Sequence, residues 1–243
     1  METNNRVALI TGANKGIGLE IARELGNQGI TVIVGARDAG RGQQAAEALR
    51  QDGIDAQPIA LDVLDEASIK NAAESIDQQF GHLDILVNNA GISRERGQKP
   101  SESSAEYLRE TYATNVIGVV SVTNALLPLL RKSPAGRIVN QSSSMGSLGL
   151  ASDPESPFAG LNLLAYNSSK AALNSITLEY AKELRDTPIK VNASDPGYVS
   201  TDLNGHQGYK TPEQGAVAAV RLATLPDNGP SGTFQDEKGA VAW

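Results

Sequence analysis

Tyr166 and Lys170 stand four residues apart in Ala165-Tyr166-Asn167-Ser168-Ser169-Lys170, which on a helix puts both side chains on one face. A phenol with an ordinary pKa of about 10 is mostly protonated at neutral pH, and closing three units takes roughly 4 kcal/mol. An ammonium about 4 Å away, at an effective dielectric of 20, supplies on the order of 4 kcal/mol. Lys170 therefore has the strength to bring Tyr166 within reach of proton transfer. The spacing alone is a weak motif, because a Tyr-Lys pair is also an ordinary contact on an amphipathic helix. Gln141-Ser142-Ser143-Ser144-Met145-Gly146 adds hydroxyls that could hold a carbonyl oxygen or simply form a turn. A serine hydrolase is rejected: there is no G-x-S-x-G elbow, and His206, the only later histidine, has no evident orienting acid. Asn115, in Thr114-Asn115-Val116-Ile117-Gly118, sits in a helical stretch that does not favour an amide. It is either a satisfied buried amide or part of a bent helix whose exposed carbonyl holds a water relaying protons to Lys170.

A second set of residues has the chemistry of a dinucleotide site. Thr11-Gly12-Ala13-Asn14-Lys15-Gly16-Ile17-Gly18 lies between a strand and a helix, spaced G-x-x-x-G-x-G rather than G-x-G-x-x-G. Glycines there let the backbone approach a ligand, and the helix N-terminus offers free N–H groups to a diphosphate. Val34-Gly35-Ala36-Arg37 closes the next strand without the acidic residue that would take a ribose 2′-hydroxyl. Arg37 could instead grip a 2′-phosphate, with Lys15 as a second cation, which selects NADP(H) over NAD(H); the alternative is a solvated surface arginine. Asp62, followed by Val63, could accept from an adenine amino group or cap a helix. Asn88-Asn89-Ala90-Gly91 could shape a loop along which the cofactor passes, or only turn the chain.

These residues need a scaffold. Apolar, β-branched runs at 7–10, 31–34, 58–61, 83–87, 137–140, 189–193 and, weakly, 232–234 alternate with segments of helical periodicity such as Ile17, Ile21 and Leu25. Strands apolar along their whole length must be covered on both faces. The expected fold is therefore α/β: a doubly wound (Rossmann-type) parallel sheet of about seven strands, helices on both faces, as one domain over residues 1–243. Its ligand crevice lies beyond the carboxyl ends of the strands. Residues 144–164 and 195–211 interrupt the alternation there, so both are expected to carry function. Arg94, Arg96, Phe158, Leu161, Tyr198, His206 and Tyr209 are candidate pocket or lid residues.

Composition removes other classes. With 21 Lys and Arg against 28 Asp and Glu, the net charge of −7 disfavours nucleic acid as a partner. Zero cysteines exclude disulfides, thiol catalysis and cysteine-bound metals, and two histidines leave little for a metal cage, so no metal is expected. The N-terminal apolar run is too short for a signal peptide and no stretch reaches ~18 consecutive apolar residues, so no membrane is expected and the cytoplasm is the expected location.

Taken in order, TGANKGIG, NNAG, Asn115, the serine cluster, Tyr166-x-x-x-Lys170 and Asp195-Pro196-Gly197 resemble the short-chain dehydrogenase/reductase family, specifically its compact NADPH-dependent carbonyl reductases. The resemblance spans nearly the whole chain. It implies a catalytic tetrad of Asn115, Ser143, Tyr166 and Lys170, with Tyr166 the general acid in reduction and the pro-S hydride transferred to a ketone or aldehyde. Lys170 would lower the tyrosine pKa and hold the nicotinamide ribose. Ser143 is preferred to Ser142 or Ser144 because the family's serine commonly precedes a glycine, here Gly146, by three. The expected cofactor contacts are Gly12, Asn14, Lys15, Gly16, Ile17 and Gly18 in the turn, Arg37, Asp62 and Val63, then Asn89, Ala90 and Gly91. Tyr166 and Lys170 join them, and Pro196, Gly197, Val199 and Thr201 resemble the segment holding the nicotinamide carboxamide. Two departures stand out. Asp195 replaces the more usual Asn, and the 23 positions from Ser143 to Tyr166 exceed the family's gap by roughly ten. That insertion resembles a shortened form of one in monomeric carbonyl reductases, so monomer and homo-oligomer both stay open. Alternatives are a non-catalytic NADP-sensing protein or a lyase or epimerase on the same fold, although only 73 residues follow Lys170.

Overall fold

Successive side chains of a strand point to opposite faces, and the apolar runs of this chain use both. The computed structural model describes residues 6–95 and 97–243, so Arg96 lies outside the described residues. The strands are β1 (Val7–Thr11), β2 (Thr31–Ala36), β3 (Ala56–Ala60), β4 (Ile85–Asn88), β5 (Arg137–Gln141), β6 (Lys190–Ser194) and β7 (Phe234–Gln235). All pair in parallel in one sheet of order β3-β2-β1-β4-β5-β6-β7. Each begins within two residues of its expected position.

The helices are α1 (Gly16–Gly26), α2 (Ala39–Gln51), α3 (Glu66–Phe80), α4 (Ala105–Tyr112), α5 (Gly118–Leu130), α6 (Leu148–Ser152), α7 (Leu164–Glu183) and α8 (Pro212–Ala223). On one face, Ala8, Ile10, Val32, Val34 and Val87 pack on Ile21 and Leu25 of α1, Ala46 and Leu49 of α2, and Ala219 and Leu222 of α8. The intervening residues Leu9, Ile33, Leu86 and Ile138 pack on the other face against Ile69 and Ile76 of α3 and Val122 and Leu126 of α5, with Tyr180 of α7 at its edge. Each buried Leu or Ile of these layers contributes roughly 1.5–3 kcal/mol relative to exposure.

The chain leaves β1 toward β2 and β3, then returns to place β4 on β1's other side. That reversal opens the crevice above the carboxyl ends of β1 and β4. A π-helical turn, Ala113–Ile117, joins α4 to α5. The combined run Ala105–Leu130 is long and apolar enough to cross a membrane by length and composition, but half of its most apolar 18-residue window is buried, with α4 packed on α7 and α5 on α3.

Candidate active site

The glycine turn after β1 forms because Gly12 and Gly16 take φ of +66° and +56°, a region closed to most L-residues. Its neighbour is the end of β4. Asn89 donates from its side chain to the Thr11 and Gly12 carbonyls at 2.9 and 3.3 Å, and the Thr11 hydroxyl accepts from the Asn89 and Ala90 N–H groups at 3.0 Å. No side chain caps α1, whose boundary residue is Lys15, so its first N–H groups face the crevice. Ile17 packs on the core, and a Cβ on Gly16 would lie 3.6 Å from Thr201, so the segment after β6 faces this turn.

At the end of β2, Arg37 is exposed and makes no ion pair with a described residue. Asp38, the nearest carboxylate along the chain, is occupied: it accepts the Arg41 N–H at 3.0 Å and caps α2. Asp62 does not cap α3. Its carboxylate accepts the Leu64 N–H at 3.0 Å, and Asp65 is the cap. Lys15, the expected second cation, is ion-paired with Asp202, which also accepts from His206. Arg94 pairs with Glu110 at 2.7 Å, and Tyr198 meets Tyr209 edge-on at 6.1 Å. Of the insertion, Phe158 is half-buried, whereas Leu148 and Leu161 are exposed.

The open helix terminus, the left-handed glycines and the free Arg37 fit a dinucleotide carrying a 2′-phosphate. Val199 is buried and Pro196 half-buried between that terminus and the serine segment. Gly197, with φ +74°, donates its N–H to Asp195 at 2.9 Å. Among the described residues, no group of three metal-binding side chains occurs.

The structure separates the three serines. Ser142 donates to Asn174 at 2.6 Å, and Ser144 donates to the Asp195 carboxylate; both serines are buried. Ser143 is half-buried, accepts the Met145 N–H at 3.2 Å as cap of the short turn 144–146, and acts on the Tyr166 phenol to lower its pKa. The Lys170 Nζ lies 5.6 Å from the centre of the Tyr166 ring and donates to the Gln141 carbonyl at 2.8 Å. Gly91 stands beside it: a Cβ there would lie 3.7 Å from Nζ and 3.4 Å from Asn115 Oδ1.

Asn115 lies in the π turn, fully buried, with its amide spent. It exchanges two 2.9 Å bonds with the backbone of Ile92 and donates to Ser169 at 3.1 Å. Ser169 in turn donates to the Tyr166 carbonyl at 2.7 Å. The side chain therefore braces β4's end against α7, and any relay at this position falls to its backbone.

One electrostatic expectation is corrected. Burial pushes the Tyr166 phenol up to about 12, opposed by the Ser143 hydrogen bond and reinforced by Asp195. Burial likewise pushes Lys170 down to about 8, opposed by Asp195. In the chain alone the lysine does not bring the tyrosine below its ordinary value, because desolvation outweighs an ammonium directed at a carbonyl. Asp195 and Gln141 were absent from the expected machinery. The Asp195 departure was visible in the sequence, whereas a backbone carbonyl leaves no trace in residue type.

The family model described as short chain dehydrogenase matches residues 6–211, and the chain belongs to that family, a class of oxidoreductases. It is 38% identical to short-chain dehydrogenase/reductase 1 of Saponaria officinalis over 94% of this chain and 93% of the relative. It is 35% identical to carbonyl reductase [NADPH] 1 of Sus scrofa, covering 100% of this chain and 96% of that one. The crystal structure of NADPH-bound carbonyl reductase from chicken fatty liver superposes with a TM-score of 0.85 at 30% identity, covering 98% and 99% of the two chains.

Proposed function

We propose that this oxidoreductase reduces a ketone or aldehyde to an alcohol with NADPH. The observation that carries the reading is the pairing of Tyr166 with Lys170, whose Nζ lies 5.6 Å from the ring centre, together with a Ser143 whose two neighbouring serines are engaged elsewhere. NADPH supplies the hydride. The glycine turn, Arg37, the 89–91 segment and residues 196–201 would hold the cofactor, with Lys15 available because an exposed ion pair such as its bond to Asp202 is weak.

Ser143 donates a hydrogen bond to the carbonyl oxygen and holds it beside Tyr166. As negative charge develops on that oxygen, Tyr166 gives it a proton. A phenol held near 12 is fully protonated at neutral pH, and an alkoxide is a far stronger base, so the transfer runs downhill in the reductive direction. Lys170, still mainly an ammonium at neutral pH, stabilises the resulting phenolate. Asn115 carries the π turn whose backbone would hold the relay water. The pig and chicken relatives, both named as carbonyl reductases, support the same reaction class.

The test is NADPH consumption across a panel of ketones and aldehydes, run in parallel with NADH and with Arg37→Ala. Turnover with NADPH is expected, and Arg37→Ala should raise the NADPH KM about tenfold or more while leaving NADH nearly unchanged. No turnover with any carbonyl refutes the reaction. Equal effects on the two cofactors refute the role of Arg37.

A further inference from the structure

α7 carries Tyr166 on its first turn, yet it begins without a cap of its own. α2, α3, α4, α6 and α8 each start on an Asp, Ser or Thr whose side chain accepts a first-turn N–H. The boundary residue of α7 is Leu163, which cannot accept. Two of its early N–H groups instead reach a residue about 70 positions upstream. Ala165 and Tyr166 donate to the same carboxylate oxygen of Glu95 at 2.7 and 3.2 Å. The other oxygen accepts the Ser103 hydroxyl at 2.6 Å, and Glu95 is only 5% exposed.

We propose that Glu95 is a positioning residue for the reaction: capping α7 from the segment between β4 and α4, it fixes the first turn of that helix and so the height of the Tyr166 phenol beside Ser143. The inference rests on the reading of Tyr166 as the proton donor. One of the two bonds ends on the backbone of Tyr166 itself. The carboxylate also sits at the positive end of a 20-residue helix, where negative charge is favoured. The same helix is held on its inner side by Asn115 through Ser169. Glu95 thus supplies the outer of two ties from the β4 end to the turn bearing the phenol. Without it, one buried and one part-buried N–H group lose their acceptor and the turn frays. A shift of about 1 Å in a reacting group costs on the order of a hundredfold in rate.

The test compares Glu95→Ala, which removes the acceptor, with Glu95→Gln, which keeps one acceptor oxygen and loses the charge, measuring steady-state kinetics, NADPH affinity and amide exchange at residues 164–168. Glu95→Ala should lower kcat about tenfold or more, leave the NADPH Kd within about twofold, and speed exchange at Ala165 and Tyr166. Glu95→Gln should recover most of kcat. If Glu95→Ala does not fold, Ser103→Ala, which frees the outer carboxylate oxygen, should give a smaller change of the same pattern. A kcat within twofold of the parent, an equal loss of kcat and NADPH affinity, or a glutamine variant as slow as the alanine one overturns the proposal. Tyr166→Phe is run alongside. If it is inactive while Glu95→Ala is normal, only the role of Glu95 fails; if it stays active, the reading of Tyr166 fails, and the exchange data still judge the cap.

Discussion

β4 and β5 run side by side, and their two ends hold buried polar groups of opposite character. At the amino ends, Asp84 accepts the Val7 N–H at 2.8 Å and the Ser133 hydroxyl, with His82 at 3.1 Å. Next to it, Arg137, 1% exposed, gives its guanidinium to the Leu225 carbonyl at 2.7 and 3.0 Å, to the Gly136 carbonyl at 2.9 Å and to Asp227 at 3.1 Å. Val7, Ser133, Leu225 and Asp227 there tie one chain segment to another. At the carboxyl ends, Asn88 and Asn140 first make a similar lock with Thr123 and Thr177. Beyond that lock the pattern changes: Tyr166 and Lys170 pair at the crevice wall, and Lys170 is buried at a cost to its charge. The buried side-chain atoms left without a hydrogen-bond partner among the described residues include Gln141 Nε2 and Asn167 Oδ1, both on elements bordering the crevice. Polar groups at the lower end are used up by folding, and at the upper end folding leaves some of them without a partner.

If that contrast is right, substitutions at the two ends separate activity from stability. Tyr166→Phe should lower kcat by about 10²–10⁴-fold with the thermal midpoint unchanged or slightly higher; stopped-flow reduction and calorimetry on the same sample decide it, and a nearly active variant breaks the comparison. Arg137→Ala should do the reverse, costing about 3 kcal/mol of stability, or roughly 6–12 °C in Tm, while kcat at moderate temperature stays within about twofold. The smallest effect sharpens the picture of the upper end. A lysine held near 8 keeps its charge below that pH and loses it above, whereas Tyr166 stays protonated to about 12, so kcat/KM for carbonyl reduction should fall as pH rises through about 8. Asp195 raises the lysine, and Asp195→Asn should therefore move that fall to lower pH. A profile flat well above 8, or one that Asp195→Asn shifts upward, contradicts the assignment.

The sheet was readable because its strands are short, mostly apolar runs rich in β-branched residues, and the crevice came with the parallel topology. Tyr166 and Lys170 were readable because helical spacing is a local property. The serines were not separable from sequence by physical argument alone: what distinguishes Ser143 is that Asn174 and Asp195, 32 and 51 positions from the serines they engage, occupy its neighbours. The lower lock was invisible for a related reason, since Arg137 bonds mostly to carbonyls, which every residue has. The tyrosine's acidity was not legible because the attraction of Lys170 can be estimated from spacing, while burial, which raises the phenol, depends on the packed fold.

The five-residue π turn sets the phase of the helix beyond it. In place of the usual bond, Gly118 donates its N–H to the Ala113 carbonyl five positions back, and at that point the helix touches Val63 so closely that a Cβ on Gly118 would lie 2.9 Å from the Val63 carbonyl. Each residue added to or removed from a helix rotates the downstream turns by about 100°. Because a π turn absorbs one extra residue into the helix, deleting one residue between 113 and 117 would let the run relax into unbroken α-helix and carry Asn115 away from Ile92. Variation in this stretch therefore has to keep both its length and Asn115, whose amide is committed to Ile92 and Ser169.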